Sequence, residues 1–146
     1  MNMGNGVEEV GPEGAFAALK AGGALMIDVR TRAEWSFVGA PDLSGAGAEL
    51  AMIEWQSFPT MAVNPAFAEA ALDAAERAGA ETIFFICRSG ARSLRAAQAT
   101  ADTAAAAGRP LRCVNVAEGF EGDLDPDARR GTVNGWKARG LPWRQS

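Results

Sequence analysis

Two short, continuous apolar runs restrict what this chain can fold into more than any other feature. Ala24-Leu-Met-Ile-Asp28-Val-Arg30 and Thr82-Ile-Phe-Phe-Ile86 lack the apolar–polar alternation of a strand with one wet face. A strand apolar on both faces is covered on both, which is the habit of parallel sheets whose crossovers are helices. Helix signals surround these runs. Gly11-Pro12-Glu13 opens a helix that Gly22-Gly23 stops, with proline at the first helical position and an acid in the first turn. Asn64-Pro65 predicts an asparagine N-cap and a helix to about Arg77, ended by Gly79. An alanine-rich helix is expected from about Ala91 to Ala107, with Gly108 and Pro110 beyond it. This alternation predicts an α/β fold with a mostly parallel sheet.

The connecting segments are less explicit. Val7–Val10 is expected as a short edge strand, Leu50–Glu54 as another, and Leu111–Val116 as a third that carries Cys113 in its interior. Thr31 with Glu34 three residues later predicts a capping box on a single helical turn. Gln56–Val63 reads as irregular, with Trp55 and Phe58 in the core or on its rim unless they line the mouth of a site. Val133–Arg139 is expected as a last short helix containing Trp136. Residues 1–6 read as a flexible N-terminus and 7–146 as one domain.

Composition removes several function classes. The chain has 146 residues, a formal charge of −4 and a pI near 4.9. That balance argues against general nucleic-acid binding, which needs a basic face. No window approaches a membrane span and no signal peptide opens the chain, so a cytoplasmic protein with no membrane partner is expected. There is no histidine, so a Ser-His-Asp triad, a Cys-His pair and a histidine-ligated metal are all excluded. Asp123, Asp125 and Asp127 alternate as in part of a calcium loop, but the later glutamate is missing. No metal and no cofactor are expected.

Cys87 ends the second apolar run and precedes Arg88-Ser89-Gly90-Ala91-Arg92-Ser93, which leads into the alanine-rich helix. Helix N-termini present unpaired N–H groups and a partial positive charge. Thiols in such places ionise at ~3.5–7.5 rather than ~8.5. Gly90 supplies the freedom for a tight curl in which backbone N–H groups point inward. Arg88, Arg92 and Arg95 add positive charge. The coincidence of these features marks Cys87 as a candidate nucleophile that needs no separate base. Cys113, inside a strand, reads as a small core residue.

The loop Cys87-Arg-Ser-Gly90-Ala-Arg92-Ser93 resembles the Cys-x-x-Gly-x-Arg-Ser/Thr active loop of single-domain rhodaneses. Ile27-Asp28-Val29-Arg30 with Glu34 resembles the family's Asp-Val-Arg segment. Val114-Asn115-Val116, Gly119-Phe120-Glu121-Gly122, Gly135-Trp136 and Gly140-Leu141-Pro142 resemble its C-terminal end. The resemblance spans roughly Val7 to Pro142. It implies a rhodanese-like three-layer fold, with a mostly parallel five-stranded sheet and helices on both faces. It also implies a sulfurtransferase. Cys87 would take the outer sulfur of a donor such as thiosulfate, or of a persulfidated protein, and become a persulfide. The loop N–H groups from Arg88 to Ser93 would hold that sulfur, and a thiol or cyanide acceptor would remove it. Arg92 would stabilise the loop and the anionic sulfur, Arg88 would meet the donor, and Asp28 and Arg30 would brace the loop.

The chain departs from the family pattern where Gly39-Ala40-Pro41 replaces Gly-His-Ile, and where Asp123–Asn134 is inserted near the loop. Arg129 or Arg130 of that insertion is expected to attract the donor. Two other readings remain open at this point. Phosphatase and arsenate-reductase cradles resemble Cys-x5-Arg, whereas here the arginine comes one residue early at Arg92, and the shorter cradle suits a single sulfur better. A sulfur-relay or interaction module with little activity on small donors is the non-enzymatic reading.

Overall fold

The computed structural model describes residues 2–3 and 6–146, with side chains from Gly6 onward. In chain order the elements are β1 (Asn2–Met3), β2 (Val7–Val10), α1 (Pro12–Ala21), β3 (Ala24–Asp28), α2 (Arg32–Phe37), β4 (Ala40–Pro41), β5 (Glu49–Met52), β6 (Gln56–Ser57) and β7 (Ala62–Val63). They continue with α3 (Phe67–Ala78), β8 (Thr82–Ile86), α4 (Ala91–Ala106), β9 (Arg112–Val116), α5 (Gly135–Ala138) and β10 (Trp143–Arg144).

The central sheet runs β1-β2-β9-β8-β3-β5. Its five strands from β2 to β5 are all parallel, and β1 adds an antiparallel edge. Side chains of successive strand residues point to opposite faces, and the two cores follow that parity. Leu25, Ile27, Ile83, Phe85 and Cys113 pack with Phe67, Ala71 and Ala75 of α3 and with Ala96 and Ala97 of α4. Met26, Phe84, Ile86, Val114 and Val116 pack with Ala15 and Leu19 of α1 and with Trp136 of α5. The sheet is thus covered on both faces, which is why β3 and β8 are apolar without alternation. This is the rhodanese-like three-layer α/β arrangement. No helix among the described residues is long and apolar enough to cross a membrane.

Several boundaries differ from expectation for local reasons. Helix α3 begins at Phe67, not Pro65, because Asn64 closes a turn first. Its side-chain oxygen accepts from Ala66 N at 3.0 Å and its carbonyl from Phe67 N at 3.1 Å. The segment read as irregular contains the hairpin β6–β7, pairing Gln56 with Val63 and Ser57 with Ala62. The strand expected over Leu50–Glu54 is β5, ending at Met52, although Ile53 N still reaches Asp28 O at 3.2 Å. The last helix is confined to Gly135–Ala138, and the tail forms β10 against β4. At the N-terminus, Asn2–Met3 pair with β2 where flexibility is expected. Met1, Gly4 and Asn5 lie outside the described residues.

Inserted segment 123–134 is closed at its base. Asp123 N donates to Asn134 Oδ1 at 2.8 Å and Asn134 Nδ2 to Asp123 Oδ2 at 3.0 Å. Inside it, Asp125 accepts from the amides of Asp127 and Arg129 and from the Thr132 hydroxyl. Asp125 thus serves the loop's own backbone and Asp123 closes its base, and no metal-ligand cluster occurs among the described residues.

Candidate active site

Strand β8 delivers Cys87 to the carboxyl edge of the sheet, and four residues later α4 begins at Ala91. The turn is tight because Gly90 takes a φ of 113°, open to glycine and strained for other residues. That turn brings Gly90 N to 3.1 Å from Cys87 Sγ. Ser93 Oγ, one helical turn on, also lies 3.1 Å from Sγ. Gly90 N donates to the sulfur, and the Ser93 hydroxyl lies within hydrogen-bond reach of it, at the N-terminal end of a long helix, an arrangement that favours an anion there. Of the other loop residues, Arg88 and Ala91 are exposed, and Ser89 is half-buried.

The segment after β9 grips the loop from behind. Phe120 N donates to Cys87 O at 2.8 Å, and Glu121 N and Gly122 N donate to Arg88 O at 3.0 and 3.1 Å. Gly119 makes this approach possible, since a Cβ there would lie 2.5 Å from Cys87 O. Behind that grip stand Asp28 and Arg30, both wholly buried. Arg30 donates to Asp28 through Nε and Nη2, at 3.0 and 2.7 Å to the nearer oxygens, and to Gly39 O at 2.8 Å. Its guanidinium lies 4.3 Å from the centre of the Phe120 ring. Phe120 thus stands between the Asp28–Arg30 pair and the loop.

Arg92 has a partner that sequence reasoning assigned to something else. Its guanidinium makes two bonds of 2.8 Å to the two carboxylate oxygens of Glu34. Glu34 does form the expected capping box with Thr31, so one carboxylate ties α2 to the head of α4. Burial acts to raise the Glu34 carboxyl, but the Arg92 guanidinium and the Thr31 amide outweigh it and hold it at about 2. A carboxyl depressed in the folded state stabilises fully above its ordinary value of 4.5 and ceases to as pH falls through about 2. The stability difference between the native protein and Glu34→Gln is therefore expected to be constant above pH 4.5 and to shrink toward pH 2. Urea unfolding across that range measures it, and a difference that grows on acidification would contradict the pair.

An open cleft of about 400 Å³ lies over this corner, lined by Glu34, Phe58, Met61, Arg88, Arg92, Glu121 and Arg130. Phe58 belongs to the hairpin and is 61% exposed. Trp55 instead packs edge-on against Phe67 in the core. Of the two arginines singled out in the insertion, Arg130 reaches the cleft and donates to Gly122 O at 2.7 Å. Arg129 is exposed outside it. Among the described residues Arg88 has no carboxylate partner, and Arg95 is exposed on α4. Cys113 is buried in β9, and burial pushes its thiol up to about 12. Asn115, two residues on, bonds to Ser93 and thus to the site. In the sequence it stands out as a polar side chain in an otherwise apolar run, within the Val114-Asn115-Val116 segment of the resemblance.

No family model matches the chain. It is 33% identical over 121 residues to the uncharacterized protein RC0915 of Rickettsia conorii, an alignment covering 83% of each chain. With the uncharacterized RP600 homolog of Rickettsia rickettsii the identity is 34% over the same shares. The chain belongs to their family. A solved relative of similar size is Rv0390 from M. tuberculosis, 39% identical with a TM-score of 0.78, covering 95% of this chain and 98% of that one. The fold described above therefore extends across nearly the whole of both molecules.

Proposed function

We propose that this protein is a rhodanese-like sulfurtransferase that carries sulfane sulfur on Cys87. The observation that supports the reading best is the placement of Gly90 N and of the Ser93 hydroxyl, each 3.1 Å from Cys87 Sγ at the head of α4. In the transfer, the Cys87 sulfur attacks the outer sulfur of thiosulfate. A new S–S bond forms, the S–S bond of the donor breaks, and sulfite leaves with the electron pair. The enzyme is left as a persulfide, whose outer sulfur is then taken by cyanide or a thiol in a second displacement.

The rest of the corner supports this chemistry. Arg88 and Arg130 place positive charge around the entrance for an anionic donor, and Arg92 is held at the head of α4 by Glu34. The charge of Cys87 and that of Arg92 favour one another. The cleft suits a small anion, or the persulfide-bearing tip of a protein. A cytoplasmic thiol would serve as acceptor, and neither nucleic acid nor membrane has a part.

Mass spectrometry after incubation with thiosulfate tests the reading. One added sulfur, about 32 Da, is expected on the peptide carrying Cys87 and none on that carrying Cys113. A protein left unmodified by thiosulfate and by persulfide donors alike is not a sulfurtransferase.

A further inference from the structure

We propose that Asn115 is a positioning residue that decides where the Ser93 hydroxyl hydrogen points, and thereby how readily Cys87 ionises. The inference rests on Cys87 being the reacting sulfur, but its readout requires no sulfur transfer. Ser93 Oγ lies 2.6 Å from Asn115 Oδ1, 3.1 Å from Cys87 Sγ and 3.2 Å from Gly90 O. A hydroxyl has one hydrogen to donate, so these three acceptors compete for it.

The orientation of the Asn115 amide is settled by its other neighbours. Its Nδ2 lies 2.9 Å from Glu9 Oε2 and 3.2 Å from Gly90 O. Both are acceptors, so the nitrogen faces them and Oδ1 faces Ser93. A hydrogen-bonded chain thus runs from Glu9 on β2 through Asn115 on β9 and Ser93 on α4 to the sulfur. Ser93 is wholly buried and Asn115 is 1% exposed, so water does not replace a partner that is lost.

With the thiol protonated, every group is satisfied. Ser93 donates to Asn115, and its oxygen accepts the S–H. With the sulfur ionised, the hydrogen is drawn toward the charge, because bonds to ionised acceptors are the stronger ones. Turning it leaves Asn115 Oδ1 without a donor in a dry site, which costs free energy. Asn115 therefore restrains ionisation on the Ser93 side, while Gly90 N and the helix favour it. The charged groups around this corner are Arg92 with Glu34, the Asp28–Arg30 pair, Arg88 on the loop, Glu121 and Arg130 on the cleft, and Glu9 beyond Asn115. A neutral replacement of Asn115 adds no charge, but it removes the donor to Glu9 and Gly90 O along with the acceptor of Ser93, and a Ser93→Ala background separates the two effects.

Thiolate absorbance against pH tests this. The chain has no tyrosine to obscure the signal, and burial pushes the Cys113 thiol up to about 12, so thiolate absorbance that appears at lower pH is read from Cys87. Asn115→Leu, which keeps the volume and removes the acceptor, is expected to move that profile acidward by about one pH unit, a tenfold change. Asn115→Ala is measured beside it in case the leucine prevents folding. In a Ser93→Ala background the same replacements are expected to change nothing. An unmoved or alkaline-shifted profile, or an equal shift without Ser93, overturns the proposal. An acid shift in a protein that forms no persulfide would instead uphold the positioning role and refute the sulfurtransferase.

Discussion

Cys87→Ala is expected to reduce sulfur transfer from thiosulfate to cyanide by at least ~10³-fold, the scale of losing a nucleophile that no other group replaces. Nothing else among the described residues is placed to substitute. There is no histidine, and Cys113 is buried on β9 with a thiol pushed up to about 12. Stability is expected to change little. The Cys87 carbonyl, which Phe120 N holds at 2.8 Å, belongs to the backbone and survives the substitution. Ser93 keeps Asn115 and Gly90 O as acceptors. Only the Gly90 amide loses its partner, a cost of about 1 kcal/mol. Steady-state assay alongside urea unfolding separates the two effects. Undiminished transfer in a folded Cys87→Ala protein would remove the covalent mechanism.

The second large effect is on the fold. Gly119→Ala is expected to destabilise the protein by about 4 kcal/mol, at the upper end of single-residue effects. Two penalties combine. Gly119 has a φ of 68°, in the left-handed region that costs an ordinary L-residue ~1–2 kcal/mol. Its Cβ would also meet Cys87 O and Arg88 C at 2.5 Å and Arg88 O at 2.6 Å. These are backbone atoms, already tied to Phe120, Glu121 and Gly122, so relief requires breaking the grip on the loop. Gly45→Ala is the control, since a Cβ there meets nothing within 4 Å. Equal denaturation midpoints for the two variants would show that the 119–122 turn is not what holds the loop.

Much of the architecture was legible because its causes are local. The buried parallel strands β3 and β8 follow from runs without alternation, and α1 from Pro12 and Gly22 at its ends. The capping box at Thr31–Glu34 is a four-residue pattern, and the structure contains it. The N-terminus of α3 shows the limit of such reasoning. Asn64 does bond to a following amide, but it closes a separate turn, because its Nδ2 is also drawn to Glu54 O on the neighbouring hairpin connection. A local signal was read correctly as a chemical preference and placed two residues early.

By itself, the sequence determined that a cysteine stands at the end of a buried parallel strand, before a glycine-bearing loop and a long helix. The physical reason is that strand burial, turn chemistry and helix propensity act over a few residues. The tertiary structure decided what surrounds that cysteine. Arg92 meets Glu34 across 58 positions, Ser93 meets Asn115 across 22, and Asn115 meets Glu9 across 106. Those pairs exist because the sheet order places β2 beside β9, β9 beside β8 and β8 beside β3. Periodicity shows which face a strand side chain occupies, but not which distant strand lies next to it.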